Sequence, residues 1–304
     1  MPRIDSKTIS QATKFSRFLP WLLRASRGSI VEAKKELRWI KSELPRSKWE
    51  RACQARHRLV PLQYILGSQP FAHDLTIKCR PNVLIPRNDT EDWCVELEQI
   101  LCDIRKPLKA LDVCSGSGCI SLSLVSSRAK FSHVYGIDVS RDALELANEN
   151  LRINSHQLQR SNPKCIMKYV RGDILNEKLS EILGTGAKSW DIIVSNPPYI
   201  TVDELASSSL EKSVKLYEPM LALEGDLEFY DELVKLTIEA QARAFVFELG
   251  NIRQAKRVAE LLHLKDSSWI FGIRRDSGGI RNVIGWKRDS EFTSLDKLCH
   301  EQLQ

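Results

Sequence analysis

Asn196-Pro197-Pro198-Tyr199 closes a short apolar run, Asp191-Ile192-Ile193-Val194-Ser195. The β-branched run reads as a buried strand. It must end there, because neither proline can donate to a sheet ladder, and the residue before each proline is pushed out of helical geometry. The product is a stiff corner with one amide side chain and one aromatic ring beside it. Such a corner suits a planar –NH2 group. The Asn196 side-chain oxygen can accept one N–H and the Pro197 carbonyl the other, while the Tyr199 ring lies on the flat face. The four residues alone leave a plainer reading open, since Asn-Pro also starts ordinary turns and Tyr fills ordinary cores.

A second group of residues suits a nucleoside. Asp112-Val113-Cys114-Ser115-Gly116-Ser117-Gly118-Cys119 falls between an apolar run and a helical pattern, where glycines let the backbone approach a ligand. Ser121 stands where a dinucleotide fingerprint carries its third glycine. Asp138 ends the next apolar run, about twenty residues on, where a carboxylate can take both hydroxyls of a ribose. Standing alone, Asp138 could equally cap the following helix. Asp173 follows Gly172 at the end of a third run. It can accept from an adenine amino group, with Ile174 as an apolar wall for the ring. NAD and S-adenosylmethionine both fit such a site. Only a methyl transfer explains the clamp at the fourth strand, which faces the methyl group across the switch point of the sheet.

These residues need elements to position them. Strand-like runs at Ala110–Val113, His133–Asp138, Lys168–Asp173, Asp191–Ser195, Ala244–Leu249 and Trp269–Arg274 alternate with helical patterns such as Ile120–Arg128 and Arg141–Ile153. That alternation predicts a mostly parallel sheet covered on both faces. A last strand, Asn282–Lys287, follows the sixth after only Asp276-Ser277-Gly278-Gly279, which makes the pair an antiparallel edge hairpin. Upstream, Ile30, Ala33, Leu37, Ile40 and Leu44 recur at helical spacing until Pro45, and a second helix is expected over Ser47–Arg58. Leu75–Lys78 and Asn82–Ile85 read as a hairpin linker, and Ser155–Lys164 as a polar surface loop. The division expected is a helical domain over 1–72, a linker over 73–88 and a catalytic domain over 89–304.

Composition narrows the class. The chain has 304 residues, 42% hydrophobic and 28% charged, as in globular proteins with one large domain and a small one. No apolar run is long enough to span a bilayer, so no membrane partner is expected. The eight cysteines include no C-x-x-C pair and no histidine cluster, so no metal is expected and free thiols in a reducing compartment are. A net charge of +6 suits a partner tied to ribosomes, or an organelle address. Residues 1–31 hold Arg3, Lys7, Lys14, Arg17, Arg24 and Arg27 against Asp5 alone. The segment reads equally as a mitochondrial presequence or as the basic first helix of a folded domain.

Taken together, the motifs resemble the HemK-type glutamine N5-methyltransferases that modify peptide-chain release factors, over nearly the whole chain. Gln63-Tyr64-Ile65-Leu66-Gly67 is similar to the segment closing that family's helical domain, and Leu84-Ile85-Pro86-Arg87-Asn88-Asp89-Thr90-Glu91 to its I-P-R-x-D-T-E segment. Tyr217-Glu218-Pro219 with Ala222-Leu223 resembles its substrate-side loop, and Phe247-Glu248-Leu249-Gly250 with Gln254 its fifth-strand motif. Two departures stand out: Cys114 replaces the usual first glycine of the cofactor loop, and the glycine-rich turn after Ala222-Leu223 is shortened to Glu224-Gly225-Asp226.

The resemblance implies an α/β fold with a class I methyltransferase, Rossmann-like sheet and a small N-terminal helical domain that holds a protein partner. It implies S-adenosylmethionine as cofactor, held by Cys114, Ser115, Gly116, Ser117, Gly118, Asp138, Asp173, Ile174 and Asn196. Asn196, Pro197, Pro198 and Tyr199 become the clamp for the glutamine of a release factor Gly-Gly-Gln loop, with Asn196, Pro197 and Tyr199 doing the catalytic work. Amino methylation of adenine N6 or cytosine N4 is the runner-up, because those groups are also planar –NH2. It lacks a visible basic, aromatic-rich domain to flip and read a base, so no stable nucleic-acid partner is expected. A cofactor-binding assembly subunit is a third possibility, which an intact clamp opposes. A monomer is expected. The full-length architecture with a basic first segment points to a mitochondrion, or to the cytoplasm in a bacterium.

Overall fold

The computed structural model describes residues 4–184, 189–207 and 210–303. Five helices come first: α1 (Ser6–Phe15), α2 (Leu19–Leu22), α3 (Ile30–Glu43), α4 (Trp49–His57) and α5 (Leu62–Leu66). Ser29 caps α3, its side chain accepting from the Glu32 amide. Ala33, Leu37 and Ile40 form the buried stripe of that helix. They meet Ala12, Leu19, Leu22 and Leu23 in a core distinct from those of the sheet. Four residues of the basic first segment, Ala12, Leu19, Leu22 and Leu23, therefore belong to this helical core.

A hairpin of β1 (Ser68–Phe71) and β2 (Leu75–Lys78) follows. The expected pairing of Leu75–Lys78 with Asn82–Ile85 is corrected: the partner lies upstream, and Asn82–Ile85 is not a strand. Asn82 takes a φ of +70°, and Pro81 and Pro86 bracket the segment, so it cannot continue a ladder.

The main sheet holds β3 (Leu108–Val113), β4 (Phe131–Asp138), β5 (Ile166–Arg171), β6 (Ile192–Ser195), β7 (Ala244–Glu248), β8 (Trp269–Asp276), β9 (Gly279–Lys287) and β10 (Glu301–Leu303). Their order is β10-β8-β9-β7-β6-β3-β4-β5. β3 pairs in parallel with β4 on one side and β6 on the other, so the strand order reverses at β3, and the crevice beyond the strand ends there is where such sheets bind ligands. The hairpin of β8 and β9 is antiparallel as expected. The short β10, too brief to read in the sequence, lies outside it and forms the edge.

Helices cover both faces: α6 (Asn88–Leu101), α7 (Cys119–Ser126), α8 (Arg141–Ile153), α9 (Ser155–Ser161), α10 (Leu179–Leu183), α11 (Val202–Ala206), α12 (Lys212–Tyr217), α13 (Leu227–Glu239) and α14 (Ile252–Lys265). Trp93, Leu97, Leu122, Ile284 and Trp286 fill one face of the sheet. Tyr230, Leu233, Phe245, Phe247 and Val258 fill the other. The segment expected as a loop at 155–164 is helical over α9, because Leu158 is buried against the first face and anchors the turn. Asn150 of α8 and Asn154 just after it reach the β1–β2 hairpin: Asn150 Oδ1 accepts from the Lys78 amide at 2.8 Å, and Asn154 exchanges two hydrogen bonds with the Thr76 backbone. Asn150 Nδ2 also donates to the Ser117 carbonyl at 2.9 Å, so one buried amide ties the hairpin to the turn after β3.

Candidate active site

A cavity opens at the ends of β3, β4 and β5. Cys114, Gly116, Ile137, Asp138, Gly172, Asp173, Ile174, Asn196 and Pro198 line it, with Pro219, Leu221, Ala222 and Phe229 on the far side. The turn after β3 winds through left-handed backbone at Cys114 (φ +59°), Gly116 (φ +53°) and Gly118 (φ +78°). At Gly118 a side chain is also excluded by space, since a Cβ would sit 2.3 Å from the Tyr169 hydroxyl. Cys114 is the one position of the three that carries a side chain in this strained region.

Asp138 is placed by two hydrogen bonds: Oδ2 accepts from the Gly116 amide at 2.8 Å and Oδ1 from the Ser140 amide at 2.9 Å. The cap of α8 is Ser140, so Asp138 is a lining residue rather than the helix cap. Burial pushes its carboxyl up from the ordinary range. Each oxygen keeps a lone pair beyond those two bonds, enough to take two hydroxyls. Asp173 accepts from the Leu175 amide at 3.0 Å and from Asn176 Nδ2 at 2.8 Å. Ile174 is buried beside it. Carboxylates, apolar walls and bare loop backbone in one cavity fit the hydroxyls and flat base of a nucleoside. Ser115, Ser117 and Gly118 do not line the cavity. The Ser115 amide donates to the Ile137 carbonyl at 3.0 Å, and Gly118 starts α7.

Asn196 also lines a second, adjoining cavity with Arg87, Asp89, Tyr199, Ile200, Leu223 and Arg281. Asn196, with Leu84 and Ala222, borders both spaces, so its amide lies between a cavity that fits a nucleoside and a second, adjoining one. Asn196 Nδ2 donates to the Thr90 hydroxyl at 3.2 Å, and Thr90 donates to Glu248 Oε2 at 2.8 Å. Trp93 Nε1 donates to the same Oε2 at 2.9 Å, and the Tyr199 hydroxyl donates to Oε1 at 3.2 Å. Glu248 has no exposure. Burial raises its carboxyl above the usual range, against the hydrogen bonds from Trp93 and Thr90 and the Arg281 guanidinium 3.6 Å away. Burial likewise raises the Tyr199 phenol, so Tyr199 stays neutral and its proton remains directed at Glu248.

The clamp is braced from below. Gln254 Nε2 donates to the Tyr199 carbonyl at 3.1 Å and to Asp226 Oδ1 at 3.2 Å. Ile200 donates to the Leu223 carbonyl at 3.0 Å, and Gly225 donates to the Ile200 carbonyl at 3.1 Å. A Cβ at Gly225 would meet the Pro198 carbonyl at 2.4 Å, so the one glycine of the shortened turn sits where the chain must pass beneath the clamp. Pro197 is buried and lines neither cavity. No described residue donates to its carbonyl or to Asn196 Oδ1.

Sequence reasoning named the clamp and the cofactor loop but gave no task to Thr90, Trp93, Glu248 or Arg281. The I-P-R-x-D-T-E-like and F-E-L-G-like segments marked the stretches that carry Thr90 and Glu248. Nothing in the sequence shows that residues 158 apart share a hydrogen bond.

A family model described as a methyltransferase small domain matches residues 97–232. The chain is 36% identical to the Saccharomyces cerevisiae mitochondrial MRF1 N(5)-glutamine methyltransferase MTQ1, over 99% of this chain and 93% of that one. It is 37% identical to the probable MRF1 mitochondrial N(5)-glutamine methyltransferase of Schizosaccharomyces pombe, over 83% and 86% of the two chains. It is 34% identical to the release factor glutamine methyltransferase of Lactococcus lactis, over 76% and 78%. Among solved structures, the human METTL16 catalytic domain in complex with an RNA hairpin superposes with a TM-score of 0.54 at 15% identity, covering 79% of this chain and 82% of that one. At that identity the likeness is one of fold.

Proposed function

The chain belongs to the release factor glutamine methyltransferase family, and we propose the roles its residues play in methylating the glutamine of a Gly-Gly-Gln loop in a release factor. It is an S-adenosylmethionine-dependent enzyme of the class I fold. The observation that carries the site assignment is that Asn196 borders both cavities.

Asp138 accepts the ribose hydroxyls, Asp173 the adenine amino group, and Ile174 walls the ring, while Cys114 and Gly116 offer backbone along the cofactor. Ser115, Ser117 and Gly118 shape that loop. When bound, S-adenosylmethionine supplies an electrophilic methyl group on a sulfonium that departs as a neutral thioether. Asn196 Oδ1 and the Pro197 carbonyl accept the two N–H bonds of the substrate amide. The Tyr199 ring flanks its plane, and Pro198 fixes the corner. An amide nitrogen is a poor nucleophile because its lone pair is shared with the carbonyl. As that nitrogen attacks, positive charge grows on it, and two fixed acceptors strengthen in a water-poor pocket. No general base has to act first, since the proton can leave after transfer. Orientation of the amide supplies much of the remaining rate.

The helical unit over 1–72 serves as the release-factor-binding domain, 73–88 as the linker and 89–304 as the catalytic domain. Family membership does not favour the runner-up, amino methylation of nucleic acid. A mitochondrial site of action is supported by the two yeast relatives, both named as mitochondrial. The enzyme works as a monomer without a stable nucleic-acid partner. Incubation with methyl-labelled S-adenosylmethionine and either a release factor, RNA or DNA tests this reading. Label is expected in the release factor alone, and label in nucleic acid instead would overturn it.

A further inference from the structure

Asparagine can serve as an acceptor for the substrate only if its oxygen, not its –NH2, faces the second cavity. The two orientations have nearly the same shape, so something must choose between them. The choice traces back to Glu248. Trp93 Nε1–H can only donate, and it reaches Glu248 Oε2 at 2.9 Å, which marks that oxygen as an acceptor. With Glu248 as a carboxylate, Thr90, 2.8 Å from the same oxygen, gives its one proton to it. What the Thr90 oxygen has left is lone pairs. Asn196, 3.2 Å away, can only meet them with its –NH2. Its oxygen is thereby turned away from Thr90. Thr90, Trp93 and Glu248 are all buried, so no solvent competes for these bonds.

We propose that Thr90 is a positioning residue for the methyl transfer: with Glu248 behind it, it locks the Asn196 amide in the one orientation that can accept from the substrate glutamine. This rests on the function proposed above. The relay predicts that removing the Thr90 hydroxyl leaves both binding sites intact but lets the Asn196 amide turn over.

The test is steady-state kinetics of Thr90→Val and Thr90→Ser on a release factor, with the dissociation constant of S-adenosylmethionine measured alongside. Valine keeps the shape of threonine and removes the hydroxyl; serine restores it. Thr90→Val is expected to lower kcat on the order of tenfold, the worth of about one hydrogen bond. KM for the release factor and cofactor affinity should move less than about threefold, again well under one such bond. Thr90→Ser should recover most of the rate. If Thr90→Val does not fold, Thr90→Ala, which also removes the hydroxyl, takes its place with the same expectation. An unchanged kcat in the valine or alanine variant, a rise in KM alone, or no rescue by serine would overturn the relay. A wild-type enzyme that leaves the Gly-Gly-Gln glutamine unmethylated would overturn the underlying reading instead.

Discussion

Arg87 and Glu218, 131 residues apart in the chain, are joined by a guanidinium nitrogen that lies 2.9 Å from each carboxylate oxygen. Glu218 also accepts from the Ile85 amide at 3.2 Å, and its side chain is almost wholly buried. The pair pins the loop after α12 to the segment that enters α6. Pro219, Leu221 and Ala222 of that loop line the first cavity, and Ala222 and Leu223 the second, so this one carboxylate holds a wall of each.

Glu218→Ala should therefore loosen both sites at once. The expected loss of stability is about 3 kcal/mol, because a charged partner and an amide are left unmatched. Both the cofactor dissociation constant and the release factor KM should rise. Calorimetric titration and steady-state kinetics check this; a change in only one of the two would show that the loop serves a single cavity.

Asp138→Asn separates the cofactor site from the clamp. The amide keeps one accepting oxygen where the carboxylate has two, so either the Gly116 or the Ser140 amide loses its partner, and the charge that strengthens each hydrogen bond is gone. Cofactor affinity should fall on the order of tenfold or more, in line with about 1.5–3 kcal/mol for hydrogen bonds to a charged group. Once cofactor is saturating, kcat should recover. Failure to recover at saturation would assign Asp138 a part in the transfer itself.

Cys114 carries a left-handed φ of +59°, where L-residues are strained by about 1–2 kcal/mol. Cys114→Gly removes that strain and adds back part of it as chain entropy. A net gain of about 0.5–1 kcal/mol is expected from denaturant unfolding. Cys114→Ala keeps a Cβ and should show no such gain. Equal gains from both would trace the effect to the sulfur rather than to the backbone.

A pH-dependent contribution sits away from the site. His73 Nε2 pairs with the buried Glu98, and this hydrogen bond raises the imidazole above its ordinary value of 6.5. The folded state therefore holds the proton more tightly than the unfolded chain does. The stabilisation is complete below pH 6.5 and is lost as pH rises through the raised value. The urea midpoint of the wild type should drop across that window, and His73→Asn should flatten the drop. A midpoint that rises with pH in that range would contradict the pairing.

Much of this was legible from short-range signals. The β-branched run before Asn196 marked β6, and the spacing of Ala33, Leu37 and Ile40 marked α3, because each element's burial repeats with its own period. Asp138 and Asp173 were legible as strand-end carboxylates. What escaped depends on contacts between distant segments. The β1 partner of Leu75–Lys78 contains Pro70, a residue type that hides a strand from sequence patterns and is tolerated where its side of the hairpin pair makes no ladder bond. Leu158 makes α9 a helix through burial that a polar stretch conceals. Glu248 reads as an ordinary strand-end acid until Thr90, Trp93 and Tyr199 are seen to converge on it.

The central claim is best tested by tandem mass spectrometry of the Gly-Gly-Gln peptide. A release factor would be incubated with S-adenosylmethionine and either the wild type or Asn196→Ala. The account predicts one added methyl on the glutamine side chain with the wild type. Asn196→Ala should be slower on the order of a hundredfold, as for loss of one preorganised partner worth about 3 kcal/mol, with cofactor affinity little changed. A methyl on another residue, or an Asn196→Ala enzyme as fast as the wild type, would contradict it.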